Sequence, residues 1–378
     1  MYSHALSWAI VGKTKAKGDK GDKTWYNLLD YYVRNIKDGE TNGFLIGPHV
    51  SNLLSEIILC AVDSKLNEWK YIRNIDDYTC YVKDQQAAEK FLVALDMELK
   101  EFGLNLNYKK TEIIKLPIGQ DDSWVRKINN NFVLYEKSPM TYSQIHAFME
   151  FVIDLVRETG NSAVINYAMK MVSSYNLKEN ARHYYIKIIA HLSLIYTYLF
   201  PYLDNYLFIP FNVSTEIIKP LSELMYKNGI KSQNAESISY ALYFAIKYRF
   251  TIEAFDSQEI LKRSDCILNT IAWQYAKINN LPLELFQSEA KKLSENEYDY
   301  NRNWLFVYEV LPLQELNNTW AAMKKQGISF ILPPNDIFAK ISPDYETIDL
   351  DLNISCVTIK SINEISFIVG KENPERCL

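Results

Sequence analysis

From residue 141 to residue 327 the apolar residues recur at helical spacing almost without a break. The segments run 141–158, 162–174, 178–199, 214–228, 234–250, 256–278, 283–294, 302–311 and 316–327. Apolar positions at i, i+3, i+4 and i+7 line one face of a helix, and the short polar joints leave little room for a sheet between them. This half of the chain is therefore expected to fold as a stack of helices, solenoid-like in kind, although no clean sequence period repeats along it. Beyond the stack, residues 331–378 carry alternating stretches, TIDLDLNI and SCVTIKSI, expected as a C-terminal tail with a small sheet or a loose terminus.

The first part of the chain reads differently. Residues 13–23 alternate Lys with Gly and Asp and predict an exposed loop. Trp25, Leu28, Leu29, Tyr32, Val33 and Ile36 then predict a helix that Gly39 ends. In TNGFLIGPHVSNLLSEIILCAVDSKL, Gly43 and Gly47 bracket a short apolar stretch and Pro48 opens a helix. Its apolar stripe is Val50, Leu53, Leu54, Ile57, Ile58 and Ala61. YIRNIDDYTCYV places strand-forming residues on both sides of an Asp-Asp pair, a hairpin signal. A helix follows, with Ala88, Phe91, Leu92, Leu95, Leu99 and Phe102 on one face and Gly103 as its stop. LNLNYKKTEIIKLPI alternates like a pair of strands. The boundary falls in LPIGQDDSWVRKINN, giving a first domain of residues 1–125 and a helical domain of 126–330. The expected fold class is α+β: an antiparallel sheet with helices, then an α-helical domain.

Charge narrows the partners. The net charge is −5, and residues 1–120 hold 16 basic and 16 acidic side chains. A protein that grips long duplex nucleic acid usually carries a basic excess, because phosphate neutralisation supplies much of its affinity. A nucleic acid bound here is expected to be short and locally held, or to meet a small basic patch. The five cysteines show no metal-ligand spacing and are read as reduced thiols of a cytoplasmic protein. The first residues show no apolar core of a signal peptide. The longest uncharged run, between Lys187 and Asp204, carries His191, Ser193, Thr197 and Pro201 and reads as a buried helix. No membrane partner is expected. His4, His49, His146, His183 and His191 lack ligand spacing and read as structural.

The chemistry concentrates at Asp76 and Asp77. Adjacent carboxylates in a tight turn repel each other, and a divalent cation relieves that repulsion. Their hard oxygens suit Mg²⁺ or Mn²⁺, and two-metal phosphoryl transfer uses carboxylates in this way. A lone Asp-Asp pair is common on surface turns, as Asp121-Asp122 illustrates. The order of its neighbours is more specific.

A glycine-bracketed turn into a helix, a strand–Asp-Asp–strand hairpin, a helix ending in Gly and then an LNxxKK element closely resemble the successive palm motifs of reverse transcriptases. TNGFLIGPHVSNLLSEIIL is similar to that family's Gly-Pro turn and helix, YIRNIDDYTCYV to its Asp-Asp hairpin, and GLNLNYKKTEI to the element after it. The abortive-infection and related defence enzymes are the nearest subgroup, resembled also by MYSHALSWAIVGK, LPIGQDDSWV and NRNWLFVYEVLPLQELNNTW. The resemblance implies part of a right-hand polymerase palm followed by a HEAT-like α-helical repeat domain, in a bacterial cytoplasmic protein of anti-phage defence. It implies RNA-directed or template-independent DNA synthesis from dNTPs, with a DNA product, an RNA template in the first case, and a homo-oligomer as one assembly. Asp76 and Asp77 would be the catalytic metal ligands, Asp76 the more direct. Gly43, Gly47, Pro48 and Ser51 would form the floor under nucleotide and template. Lys110, or Lys109, would stand near the leaving pyrophosphate. Arg73 would contact a phosphate.

Two departures matter. Asn74 stands where the family's hairpin usually has an aromatic residue. The family's first catalytic aspartate lies on a strand about ten residues before the segment matching Met1–Tyr2, on the motif spacing. The chain is therefore expected to hold an incomplete carboxylate set. The rival expectation is a catalytically incomplete palm that serves as an interaction or oligomerisation platform. A retron- or intron-type enzyme working on structured RNA would call for a long basic surface, which the sequence lacks.

Overall fold

The computed structural model describes residues 2–19, 24–37, 39–45, 48–116, 123–132 and 139–338. It divides the chain into two compact units, Met1–Gln120 and Asp121–Leu378.

The first unit contains α1 (Ala5–Val11), α2 (Lys13–Gly18), α3 (Trp25–Asn35), α4 (His49–Asp63), β1 (Tyr71–Asn74), β2 (Asp77–Cys80) and α5 (Gln85–Glu101). Residues 13–18, expected as loop, form the short α2 instead. Pro48 sits just ahead of α4 with extended backbone, where its missing N–H costs nothing. Of the stripe expected on α4, Leu54 and Ile58 are buried and Ile57 and Ala61 partly so, whereas Val50 and Leu53 are exposed. Leu59 and Val62 complete the buried face, which packs with Phe91, Leu95 and Leu99 of α5 and with Ala5 and Leu6 of α1. Asp84 caps α5, accepting a hydrogen bond from Ala87 N at 2.8 Å. The helix ends at Gly103, whose φ is +70° and which a Cβ would bring to 2.9 Å of the Tyr2 ring. Glycine is needed there on both counts.

β1 and β2 are antiparallel, in the register Tyr71↔Cys80, Ile72↔Thr79, Arg73↔Tyr78 and Asn74↔Asp77. Their inward face carries Tyr71 and Tyr78, whose ring centroids lie 5.4 Å apart. Tyr71 continues onto Phe91 of α5 at 5.9 Å. The pair of strands expected over 104–116 is not formed. Tyr108, Ile113, Ile114 and Leu116 are exposed there, and alternation alone does not make a strand without a partner for its backbone groups.

The second unit is helical throughout its described residues. It runs through α6 (Ser123–Asn131), α7 (Tyr142–Thr159), α8 (Ala163–Val172), α9 (Glu179–Ile195) and α10 (Phe200–Leu203). It continues with α11 (Thr215–Ser232), α12 (Ala235–Tyr248), α13 (Ser257–Leu261), α14 (Cys266–Ile278) and α15 (Glu284–Ser294). It closes with α16 (Glu297–Arg302), α17 (Trp304–Val310), α18 (Asn318–Lys325) and α19 (Pro334–Ile337). The pairs α11–α12, α12–α14 and α14–α17 pack in succession. The single helix expected over 256–278 is two, because Ser264 has φ +51° and Asp265 starts α14 by accepting from Leu268 N at 2.8 Å. The tail sheet expected over 331–378 falls almost wholly on residues 339–378, outside the described residues, as does the Asp121-Asp122 turn.

The abundant tyrosines are mostly core that carries a polar handle. The Tyr275 hydroxyl accepts from Ile252 N at 2.8 Å and the Tyr226 hydroxyl from Asp256 N at 3.1 Å. Burial pushes the Tyr226 phenol up to about 12. Buried Asp204 is held by Lys247 at 2.5 Å and by the Tyr248 hydroxyl at 2.6 Å. NRNWLFVYEVLPLQELNNTW builds an aromatic cluster: Trp304 stacks on Trp320 at 5.4 Å, with Phe330 5.0 Å from Trp304. Lys324 closes the end of α17, donating to the Tyr308 and Leu311 carbonyls at 2.6 Å each. No helix among the described residues is long and apolar enough to cross a membrane.

Candidate functional site

Strand β1 ends at Asn74 and β2 begins at Asp77, so Ile75 and Asp76 alone make the turn. Two-residue hairpin turns need positive φ at one or both central positions and are usually built from Gly, Asn or Asp. Here the first central residue is Ile75, with φ +58°. A β-branched side chain in that region costs about 1–3 kcal/mol and persists only where the surroundings hold it. Packing does not hold it, since the Ile75 side chain is half exposed.

The hold is polar. Arg73 points to the inner face of β1 and donates from Nη1 to the Ile75 carbonyl at 2.7 Å. The rest of its guanidinium is gripped by two carboxylates of α4. Nη1 and Nη2 donate to Glu56 Oε2 and Oε1 at 2.8 and 2.6 Å. Nε donates to Asp63 Oδ2 at 2.8 Å, and Nη2 lies 2.7 Å from the same oxygen. The Tyr71 hydroxyl donates to Asp63 Oδ1 at 2.7 Å. Forked, charge-assisted pairing of this kind is directional and strong. It holds the Glu56 carboxyl at about 2, well below the usual carboxylate range, and raises Arg73 in turn. Burial, then the bond to Asp63, pushes the Tyr71 phenol up.

Asp76 and Asp77 stand exposed at the tip that this clamp secures, with no side-chain hydrogen bond or ion pair among the described residues. Two free carboxylates suit a hard cation that takes one or two protein carboxylates and completes its shell with water and substrate phosphates. In chemistry they fit Mg²⁺ or Mn²⁺. Among the described residues no group of three or more His, Cys, Asp or Glu could hold a metal ion.

The other expected site residues occupy three places. Gly43 has φ +74°, with open space where a Cβ would stand. Pro48 and Ser51 lie at the entry to α4, where Ser51 N donates to the Pro48 carbonyl at 3.0 Å. Gly47 lies outside the described residues. Lys110 is exposed in the turn after α5, where its N–H donates to the Asn107 carbonyl at 2.9 Å; Asn107 Oδ1 also accepts from Lys109 N at 3.2 Å. Arg73, expected to reach a phosphate, instead spends its N–H groups on Glu56, Asp63 and Ile75. Sequence reasoning missed Glu56 and Asp63. A signal existed: carboxylates seven residues apart share one face of α4, and an arginine on the inward face of a strand requires acceptors.

No protein-family model matches the chain, and no curated protein matches it significantly.

Proposed function

We propose that the chain is a metal-dependent nucleotidyltransferase of reverse-transcriptase type, making DNA from dNTPs, RNA-directed or without a template, in the bacterial cytoplasm during anti-phage defence. One observation carries this reading. Asp76 and Asp77 stand exposed at the tip of an antiparallel hairpin that Arg73 ties to α4, the helix that Pro48 precedes. Two motifs of the resemblance, the hairpin and the helix that Pro48 precedes, thus meet in one small unit, which supports a partial polymerase palm. The succession α11–α12–α14–α17 supports a HEAT-like repeat reading of the second unit.

The reaction would be attack of a 3′-hydroxyl on the α-phosphorus of a dNTP, breaking the bond to pyrophosphate. Mg²⁺ or Mn²⁺ bound by Asp76 and Asp77 would supply charge neutralisation for the triphosphate and the entering oxygen. Gly43 and Ser51 would let backbone approach the nucleotide and template. Lys110 would offer charge and a proton to the leaving group. Arg73 would take no part in phosphate binding and would hold the hairpin.

The alternative is a non-catalytic palm serving as an interaction or oligomerisation platform. Labelled dNTP incorporation by the chain with Mg²⁺ or Mn²⁺, beside Asp76→Ala/Asp77→Ala, separates the two. Polymer made by the parent and lost in the double variant establishes the enzyme. No polymer from a demonstrably folded parent moves the reading to the platform.

A further inference from the structure

The clamp and the strained turn are joined through one nitrogen. Arg73 Nη1 donates both to Glu56 Oε2 at 2.8 Å and to the Ile75 carbonyl at 2.7 Å. Glu56 and Asp63 lie on α4, outside the hairpin, and the Arg73 side chain is only 12% exposed. The guanidinium is thus anchored to a helix on one side and grips the turn on the other. The residue it grips has the least suitable side chain for its backbone conformation, and that side chain is half in solvent. Besides the Asn74↔Asp77 pairing that closes the turn, the contact made to Ile75 from outside the hairpin's backbone is the Arg73 donation to its carbonyl.

We propose that Arg73 is a positioning residue for the Asp76–Asp77 pair: anchored by Glu56 and Asp63, it pins the Ile75 carbonyl and so sets the direction in which both carboxylates project. This rests on reading Asp76 and Asp77 as cation ligands. It predicts that the acidic tip is ordered by a contact from below, before any cation arrives. It also explains why a residue as ill suited as Ile75 is tolerated there, since strain at such a turn persists only where the surroundings over-determine it. Lysine cannot substitute, because a single ammonium on a flexible stem cannot bridge both carboxylates and the carbonyl at once. Glycine at position 75 takes a φ of +58° without strain and makes the clamp dispensable.

The test compares the full-length parent with Arg73→Lys, Ile75→Gly and the double variant. Hydrogen exchange of the peptide covering residues 70–81 reports the turn, and Mn²⁺ titration reports the tip. Arg73→Lys is expected to speed exchange there and to weaken Mn²⁺ binding about tenfold, a change of about 1.4 kcal/mol. Ile75→Gly in the Arg73→Lys background is expected to restore both at least halfway on a logarithmic scale. A role in bulk stability alone would not be rescued by a glycine in the turn. Ile75→Gly alone is expected to leave exchange equal to or slower than in the parent, and this variant judges the strain argument even if Arg73→Lys misfolds. Parent-like exchange in Arg73→Lys, no rescue in the double variant, or faster exchange in Ile75→Gly each overturns the proposal. A parent that binds no Mn²⁺ while the exchange rescue holds would instead remove the cation reading and leave the positioning of the turn intact.

Discussion

Two thirds of the large hydrophobic side chains left exposed among the described residues lie in the first unit, although the second is the longer. Trp25 and Tyr32 on α3, Leu53 on α4, Ile72 on β1, and Val93 and Met97 on α5 are each about 60% exposed. The interiors differ in the same sense. The largest fully buried side chains of the second unit are Tyr185, Tyr226, Tyr275, Tyr308, Phe200, Phe244, Phe286 and Phe306, whereas those of the first are Leu6, Ile58, Leu66 and Leu95. Aromatic rings bury the most apolar area per residue, and that area is the main stabilising term. The first unit also carries a two-stranded sheet, which in isolation is marginal. The second unit is built to stand by itself. The first keeps its shape with a small core and a polar clamp.

The same deletion in both cores tests the difference most severely. Ile58 in α4 and Ile218 in α11 are fully buried, and Ile→Ala at such sites costs about 2–5 kcal/mol. Ile58→Ala is expected to unfold the first unit at 25 °C, while Ile218→Ala lowers the midpoint of a second unit that stays folded. Peptide-resolved hydrogen exchange across a denaturant series reads each unit separately. One shared transition in the parent and in both variants would show that the units are a single cooperative structure.

A milder pair sharpens the point. Asp84 caps α5 and Asp265 caps α14, each accepting from a backbone N–H at 2.8 Å. Loss of either cap costs about 1 kcal/mol. Asp84→Ala is expected to shift only the first unit's transition, and Asp265→Ala only the second's. Within the second unit, the Tyr185 hydroxyl is fully buried with no hydrogen-bond partner among the described residues. Tyr185→Phe removes that polar burden and is expected to raise its stability by up to about 1 kcal/mol. A destabilised phenylalanine variant would mean that the hydroxyl has a partner in solution.

What the sequence made legible follows from range. The strands meet across two residues, so the hairpin is visible in a short window, whereas the α4 stripe was legible only at its centre. Leu54 and Ile58 are buried as expected, but Val50 and Leu53 are exposed and Leu59 and Val62 take the inward places. The break between α13 and α14 combines the positive φ of Ser264, which its side chain does not announce, with the Asp265 cap, a start signal hidden inside an unbroken apolar pattern. The strands expected over 104–116 had the right alternation, but a strand also needs a neighbour, which local pattern does not supply. Arg73 shows the same limit at the candidate site. Its partners lie 17 and 10 residues back on another element, so the resemblance alone assigned it a phosphate, whereas its burial makes it a clamp.

The smallest expected effect isolates that clamp from the rest of the first unit. The hydrogen bond from Arg73 holds the Glu56 carboxyl at about 2, against an ordinary value of 4.5. A depressed carboxylate contributes stability that is fully present above its unfolded value and is lost as pH falls through the folded one. The loss therefore begins below about pH 4.5 and completes near pH 2. Glu56 is 47% exposed, so solvent screening limits the effect to about 1 kcal/mol or less. Hydrogen exchange of residues 70–81, corrected for intrinsic rates, should quicken from pH 6 to pH 3 in the parent. In Glu56→Gln it should be faster at pH 6 and change less with pH, because the titrating partner is gone. Identical pH profiles in parent and variant would place the acid sensitivity of the hairpin elsewhere, and the clamp would then rest on Asp63 and the fork geometry of Arg73 rather than on the charge of Glu56.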